Sequence, residues 1–230
     1  MDNLGIKTQA FLANLPVFRE MAPRELGRVA AATKELRVAR GEVLFRKGDP
    51  CTGFHAVIYG QVKIAFISPQ GAEKVIEIIG PGMSFGEAIM FMDKPYIVFA
   101  QTLADSMLLH VSKTAVYQEL DRDPRFARKM IAGLSRRLHG LVNDLEANSL
   151  RSGAQRVVGY LLRGDNDAEQ STGETKVTLA TSKVVIASRL NLTPEHFSRI
   201  LHELMEARLI TVRGRDVIIH DVEKLQSYGL

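Results

Sequence analysis

The feature that most constrains this chain is a narrow apolar seam near its middle. Ala127, Ile131, Leu134, Leu138, Leu141, Leu145 and Asn148 recur at alternating steps of four and three, a heptad pattern with one polar member. Asp123-Pro124 gives this helix a start, since Pro124 suits the first helical position and Asp123 its N-cap. The pattern runs to about Leu150. A helix buried against its own domain normally covers a wider face than one or two residues. The seam therefore predicts burial against a copy of itself, with Ile131, Leu134, Leu138, Leu141 and Leu145 as dimerisation residues. A helix packed only on the preceding domain is the alternative.

Before the seam the period is different. Leu4 to Leu15 reads as a short amphipathic helix with Ile6, Phe11 and Leu15 near one face. A second helix follows Met21, with Pro23 in its first turn and Leu26, Val29 and Ala30 inward. From about Leu36, runs rich in Val, Ile and Phe alternate with turns at Gly41, Gly48-Asp49-Pro50, Gly60, Gly71 and Gly80-Pro81-Gly82. Strands are expected at Glu42–Arg46, Phe54–Tyr59, Gln61–Ile67 and Glu73–Ile79, with another pair across Tyr96–Thr102 and Ser106–Ser112. Such spacing fits a β-roll, or jelly-roll, of about eight strands.

After the seam, Arg151-Ser152-Gly153 breaks the pattern and supplies a hinge. A helix through Gln155–Leu162, a polar loop from Gly164 to Gly173 and a strand near Lys176–Leu179 follow. Next come two helices, Lys183–Leu190 and Pro194–Ala207, separated only by Asn191-Leu192-Thr193. Three residues is the tight connection of a helix-turn-helix. Thr193 caps the second helix and Pro194 opens it. Phe197, Ile200, Leu201 and Leu204 form its apolar face, opposite Glu195, Ser198, Arg199 and His202.

Those four side chains suit base reading from the N-terminal half of a recognition helix. Arg199 can donate two hydrogen bonds to guanine O6 and N7, and Glu195 can accept from cytosine N4. Ser198 can reach a base or a phosphate. Leu209 to His220, turning at Gly214, forms a wing on which Arg213 and Arg215 can meet phosphates. The alternative is a solvated helix carrying a Glu195–Arg199 pair at i, i+4. The fold class is accordingly α+β, with residues 1–122 forming the N-terminal helices and β-roll, 123–150 the dimerisation helix and 151–230 a winged helix-turn-helix.

Composition narrows the function. A formal charge of +4 is compatible with nucleic acid and does not by itself argue for it. The single cysteine, Cys51, excludes an intramolecular disulfide and an iron–sulfur cluster held by several thiolates of one chain. Met1 to Ala13 lacks a basic region followed by an apolar run, and no stretch approaches twenty apolar residues, so a cytoplasmic protein without a membrane span is expected. There is no Ser-His-Asp order with a supporting elbow, no Walker-type loop and no clustered metal ligands, so no enzyme is expected.

The β-roll glycines, the segment "FGEAIMFMD", the long helix and "LTPEHFSRILHEL", in this order and spacing, resemble the CRP/FNR family of bacterial regulators over nearly the whole chain. The pattern Glu195-X-X-Ser198-Arg199 is similar to an FNR-type recognition helix, which implies an inverted repeat of TTGA-type half-sites. Pro194 departs from the family at the helix start. "FGEAIMFMD" and "LSRRLHGLVNDLEANSLRSGAQRVVGYLL" look closest to the dissimilatory nitrate respiration regulators, implicated in nitric oxide sensing through haem. The resemblance implies a homodimer with a cyclic-nucleotide-binding-like sensory roll, and double-stranded DNA, RNA polymerase and a small-molecule or gas effector as partners. A cAMP-binding regulator of the same type, or a cyclic-nucleotide effector that does not bind DNA, is the alternative.

For that alternative the residues are unfavourable. cAMP-binding relatives hold the cyclic phosphate with an arginine and a serine soon after a Gly-Glu turn. Gly86-Glu87 is present, but Asp93-Lys94-Pro95-Tyr96-Ile97-Val98 contains neither residue, and no arginine occurs between Arg46 and Arg122. A phosphate buried without a guanidinium needs another charge, and only Lys94 is near in sequence. Glu87 is therefore expected to be structural. A haem would need an axial ligand and an apolar slot. His139, beside seam position Leu138, is the preferred ligand, His55 the other candidate outside the DNA-reading helix, and Glu87, Met90 and Phe99 complete the expected effector pocket. The cofactor itself stays unknown from sequence, as does activation versus repression.

Overall fold

The computed structural model describes residues 3–150, 152–163 and 175–228. The chain divides into two compact units, Met1–Leu141 and Val142–Leu230.

The first unit opens with helices α1 (Asn3–Asn14) and α2 (Pro23–Ala31). The strands follow as β1 (Thr33–Val38), β2 (Val43–Phe45), β3 (Gly53–Tyr59), β4 (Val62–Ile67), β5 (Glu73–Ile79), β6 (Ser84–Phe85), β7 (Phe99–Thr102) and β8 (Ser106–Ser112). A short helix α3 (Glu87–Met92) is inserted between β6 and β7. All pairings are antiparallel, in two four-stranded sheets ordered β1-β8-β3-β6 and β2-β7-β4-β5. This is the expected β-roll. β1 begins at Thr33, three residues before the sequence pattern turns strand-like, because an edge strand paired only to β8 is half-buried and carries Lys34, Glu35 and Arg37. The strand expected at Tyr96–Thr102 begins only at Phe99, and Tyr96 lies buried in the preceding turn.

Alternation along the central strands serves two cores. Val57 and Leu108 face inward with Phe45, Val62, Ile79, Phe85, Tyr96 and Ala100 from both sheets. Their neighbours Phe54, Ala56, Leu109 and Val111 face the helices, where Leu12, Leu15, Phe18, Leu26 and Val29 cover them. Successive side chains of a strand point to opposite faces, so β3 and β8 are apolar on both.

Helices α4 (Lys113–Arg122) and α5 (Pro124–Leu150) close the unit. Asp123 caps α5 as expected, its carboxylate accepting the Arg125 N–H at 2.9 Å. Glu119 is buried and takes the Arg28 guanidinium, with Nε at 2.6 Å. Glu25 accepts from the Ala22 N–H at 2.5 Å and from Lys129 at 2.8 Å. Burial alone would raise the Glu25 carboxyl, but the Lys129 ammonium and the Ala22 amide outweigh it and hold it below the ordinary value. These pairs tie α2 to α4 and to the root of α5. Close backbone contact completes the seat: a Cβ at Gly133 would stand 2.7 Å from the Val17 Cα.

α5 presents two apolar faces. Phe126 and Met130 are buried in the helical core of the first unit, and Leu134 is half-buried against the same cluster. Leu134 thus belongs in part to its own unit and not wholly to the seam. Ile131 and Leu138 are 62% and 63% exposed, and Val142, absent from the expected seam, is 54% exposed. The side chains of Leu141, Leu145 and Asn148 lie outside the described residues.

In the second unit, α6 (Gly153–Arg163), β9 (Thr175–Thr178), α7 (Lys183–Arg189), α8 (Pro194–Glu206), β10 (Ile210–Arg213), β11 (Asp216–Ile219) and α9 (Val222–Gln226) follow in order. The polar loop expected at Gly164–Gly173 lies outside the described residues. A three-stranded antiparallel sheet, β10-β11-β9, packs its Val177, Val217 and Ile219 on Val157, Leu161, Ile186, Phe197 and Leu204. No helix among the described residues is long and apolar enough to cross a membrane.

Candidate nucleic-acid interface

The helix-turn-helix forms at the expected residues. Ser182 caps α7 by accepting the Val185 N–H at 3.4 Å. Asn191 takes a left-handed conformation, φ 57°, which reverses the chain after α7 and which asparagine tolerates better than most residues. Two residues later Thr193, with φ −76° and ψ 155°, caps α8 through its hydroxyl, which accepts the His196 N–H at 3.2 Å. Pro194 then occupies the first helical position.

α8 separates its residues cleanly by chemistry. Phe197, Ile200, Leu201 and Leu204 are at most 2% exposed and lie in the core of the second unit. Glu195, Ser198, Arg199 and His202 are all exposed. The Glu195 carboxyl is held below its ordinary value by its own backbone N–H and by the Thr193 hydroxyl, so it stays an acceptor at neutral pH. The Glu195–Arg199 pair of the alternative reading is not the one formed. Arg199 leans toward Glu203 instead, at 3.9 Å, the outer limit of an ion pair. With both groups well exposed such a pair contributes little, and the guanidinium can exchange it for another acceptor. His202 Nε2 lies 3.3 Å from Glu206 in the same manner.

The wing is the hairpin β10–β11, turning at Gly214 with φ 64°. Arg213 is exposed beside the turn. Arg215 also has partners within its own unit. Its Nε and Nη2 donate to the Leu179 carbonyl at 3.1 and 2.8 Å, and Nη2 also to the Ala180 carbonyl at 2.7 Å. A guanidinium so committed holds the wing to the segment leading into α7, although Arg215, like Arg213, is exposed. Arg156 on α6 does comparable work at the other end of α7 and was not foreseen from sequence; its Nη1 donates to the Leu190 carbonyl at 2.6 Å.

The residues expected to form the effector pocket lie on three elements, with Glu87 and Met90 both buried on α3. Met90 is fully buried in the helical core, Phe99 lies on β7 beneath the Lys63 ammonium, 5.5 Å from its ring centroid, and His139 is exposed on α5. Glu87 is buried at the start of α3, as a structural carboxylate would be. The roll interior is filled by aromatic rings. Tyr96 stacks on Phe45 at 3.6 Å and its hydroxyl meets the Cys51 thiol at 3.3 Å, and burial together with that thiol pushes the phenol up.

His55 lies directly across the ladder from His110, with ring centroids 4.9 Å apart, and stacks on Phe85 at 5.3 Å. Burial, with help from His110, lowers its pKa to about 3, so it is neutral. The rings of Phe45, Phe85 and His110 surround it, whereas His139 is exposed on α5. Among the described residues no cluster of three His, Cys, Asp or Glu could hold a metal ion. Nor does the segment 93–98 supply a buried cation for a cyclic phosphate, since Lys94 is exposed.

A double-sheet roll and a capped, winged helix-turn-helix in one chain define a DNA-binding transcriptional regulator. Residues 35–123 match the cyclic nucleotide-binding domain, and residues 155–228 match the Crp-like helix-turn-helix domain. Among solved structures the chain is similar to DNR from Pseudomonas aeruginosa, at 33% identity over 99% of this chain and 100% of that one, TM-score 0.57. A Ruegeria pomeroyi protein assigned to cyclic nucleotide binding is 31% identical over 96% of each chain, TM-score 0.71. The CRP-like cAMP-activated global transcriptional regulator of Mycobacterium tuberculosis is 27% identical over 93% of this chain and 96% of its own length. The chain belongs to the CRP/FNR family.

Proposed function

We propose that two copies of this chain pair along α5 and present their α8 helices to successive major-groove faces of an inverted repeat, about 34 Å apart. The resemblance of Glu195, Ser198 and Arg199 to an FNR-type recognition helix gives TTGA-type half-sites. Arg199 reads a guanine through O6 and N7, Glu195 accepts from a cytosine amine, and Ser198 and His202 extend the contact. Thr193 holds the helix start, and Arg213 meets a phosphate from the wing. Bound there, the dimer controls initiation by RNA polymerase, in the compartment that holds the DNA.

The observation that carries this reading is the division of α8, four apolar side chains buried in its own unit and four polar ones outside. Pairing is supported by Ile131 and Leu138, which stand exposed on a helix whose opposite face is buried. An effector that favours one arrangement of the dimer shifts the population that can span both half-sites. The M. tuberculosis relative is named for activation by cAMP. This chain lacks the arginine and serine that would take the cyclic phosphate, so cAMP is not proposed as its effector. Haem is not proposed either, since His55 is buried among Phe45, Phe85 and His110 and nothing gathers an apolar lining around exposed His139 among the described residues.

A mobility-shift titration tests the proposal with a TTGA inverted repeat, a single half-site and a scrambled duplex. The repeat should bind at least about a thousandfold more tightly than the scrambled duplex at physiological salt. Equal affinity for repeat and scrambled DNA would contradict it.

A further inference from the structure

Arg156 lies on α6, 34 residues from the turn it touches. Its Nη1 donates to the Leu190 carbonyl at 2.6 Å and approaches the Asn191 carbonyl at 3.5 Å. Leu190 is the C-cap of α7 and Asn191 the left-handed residue that turns the chain. Carbonyls at a helix C-terminus have no intrahelical partner and carry the negative end of the helix dipole, so a cation there is well placed. Arg156 Nε is buried without a partner. A guanidinium that gives up hydration at one donor to hold these carbonyls is not serving merely as surface charge.

A second, independent contact joins the same elements. A Cβ at Gly153 would stand 3.2 Å from Leu192 Cδ2, 3.3 Å from Ile200 Cδ1 and 3.4 Å from His196 Cε1. The first turn of α6 thus lies against both the turn and the opening of α8. The turn's own bonds are Leu192 N–H to Ala187 carbonyl at 2.9 Å and Asn191 N–H to Ser188 carbonyl at 3.2 Å, and only Asn191, Leu192 and Thr193 separate the Leu190 C-cap from Pro194. Little slack remains between the guanidinium and the helix start.

From these contacts we infer that Arg156 is a positioning residue for base reading, fixing from α6 the turn that aims α8. The inference rests on the DNA-reading proposal, since it assigns α8 something to aim at. Lysine could offer an ammonium to the same carbonyls but lacks the rigid guanidinium plane that fixes Nη1 against them.

The test uses the full-length chain as wild type, Arg156→Lys and Arg156→Ala, each titrated on the TTGA inverted repeat and on a scrambled duplex. The ratio of the two affinities should fall about threefold for the lysine and about tenfold for the alanine, the latter equivalent to about 1.4 kcal/mol. Amide exchange at Asn191 and Leu192, measured without DNA, should rise in the same order. An unchanged ratio with unchanged exchange, or equal losses on both duplexes, would overturn the inference. Should Arg156→Ala fail to fold, the lysine variant decides alone, supporting the inference with a lowered ratio and overturning it with the wild-type one. A wild-type chain that does not separate the two duplexes removes the DNA-reading proposal and this inference with it, whereas wild-type discrimination that survives in both variants removes only the inference.

Discussion

α5 and α8 are both amphipathic helices opened by a proline and an N-capping side chain, yet they end differently. α8 buries Phe197, Ile200, Leu201 and Leu204 within its own unit and shows water a polar face. α5 buries Phe126 and Met130 and still leaves Ile131, Leu138 and Val142 more than half exposed. A helix whose apolar side chains all find partners at home is free to display chemistry. One with apolar side chains left over needs another surface. The contrast explains why the reading assigned to α8 is recognition of a polar groove and that assigned to α5 is self-association.

The comparison is sharpened most by deleting apolar volume from each helix. Phe197→Ala should destabilise the second unit by about 3–5 kcal/mol, because a fully buried ring leaves both lost burial and a cavity. Ile131→Ala should change urea unfolding of the first unit by no more than about 0.5 kcal/mol, since the side chain already meets water. A large loss at Ile131 would show that it packs within its own unit after all.

Next in size, Ile131→Glu with Leu138→Glu should leave the thermal melt of the chain almost unchanged at low concentration. It should weaken binding to the inverted repeat by about a hundredfold, or roughly 2.7 kcal/mol. Tight, undiminished binding by that variant would break the assignment of α5 as the joining helix.

On α8 the polar face is tested by Arg199→Ala, which should reduce preference for one guanine by about 1–3 kcal/mol while binding to random duplex barely changes. Arg213→Ala should weaken all sequences alike and lower the salt slope by about one. Equal losses on specific and random DNA for Arg199→Ala would make it a phosphate contact.

A smaller effect separates the two units by pH. His55 has a folded pKa near 3 against an ordinary 6.5, so between those values the unfolded chain takes up a proton that the folded one refuses. Its contribution is complete above pH 6.5 and is lost as pH falls through that window, by no more than about 1.4 kcal/mol per unit. From pH 6.5 to 5.5 the melting of the first unit should therefore drop by the equivalent of about 1 kcal/mol, and His55→Leu should flatten that dependence. A wild-type slope retained in His55→Leu would place the effect elsewhere.

Much of the fold was legible because local chemistry and periodicity agreed. Thr193-Pro194 marked the start of α8, and Leu26, Val29 and Ala30 marked the buried face of α2, all through contacts within a few residues. β1 is not among the strands expected from sequence, because an edge strand bearing Lys34, Glu35 and Arg37 shows no clean alternation. The candidate site divides in the same way. Glu195, Ser198, Arg199 and His202 could be placed on one face by helical spacing alone. Arg156 and Arg215 act on carbonyls 34 to 36 residues away, and a backbone carbonyl leaves no mark in the sequence. The exposure of His139 was not legible because α5 has two apolar faces, and a residue beside the seam can face solvent as easily as the β-roll.

The pairing of α5 helices to present two α8 helices is tested most directly by the mass of the complex on one TTGA inverted repeat, measured by native mass spectrometry at physiological salt. Two chains per duplex, with the second half-site bound at concentrations where a lone half-site stays empty, is the predicted result. One chain per repeat, or two chains bound independently with the affinity each half-site shows alone, would contradict it.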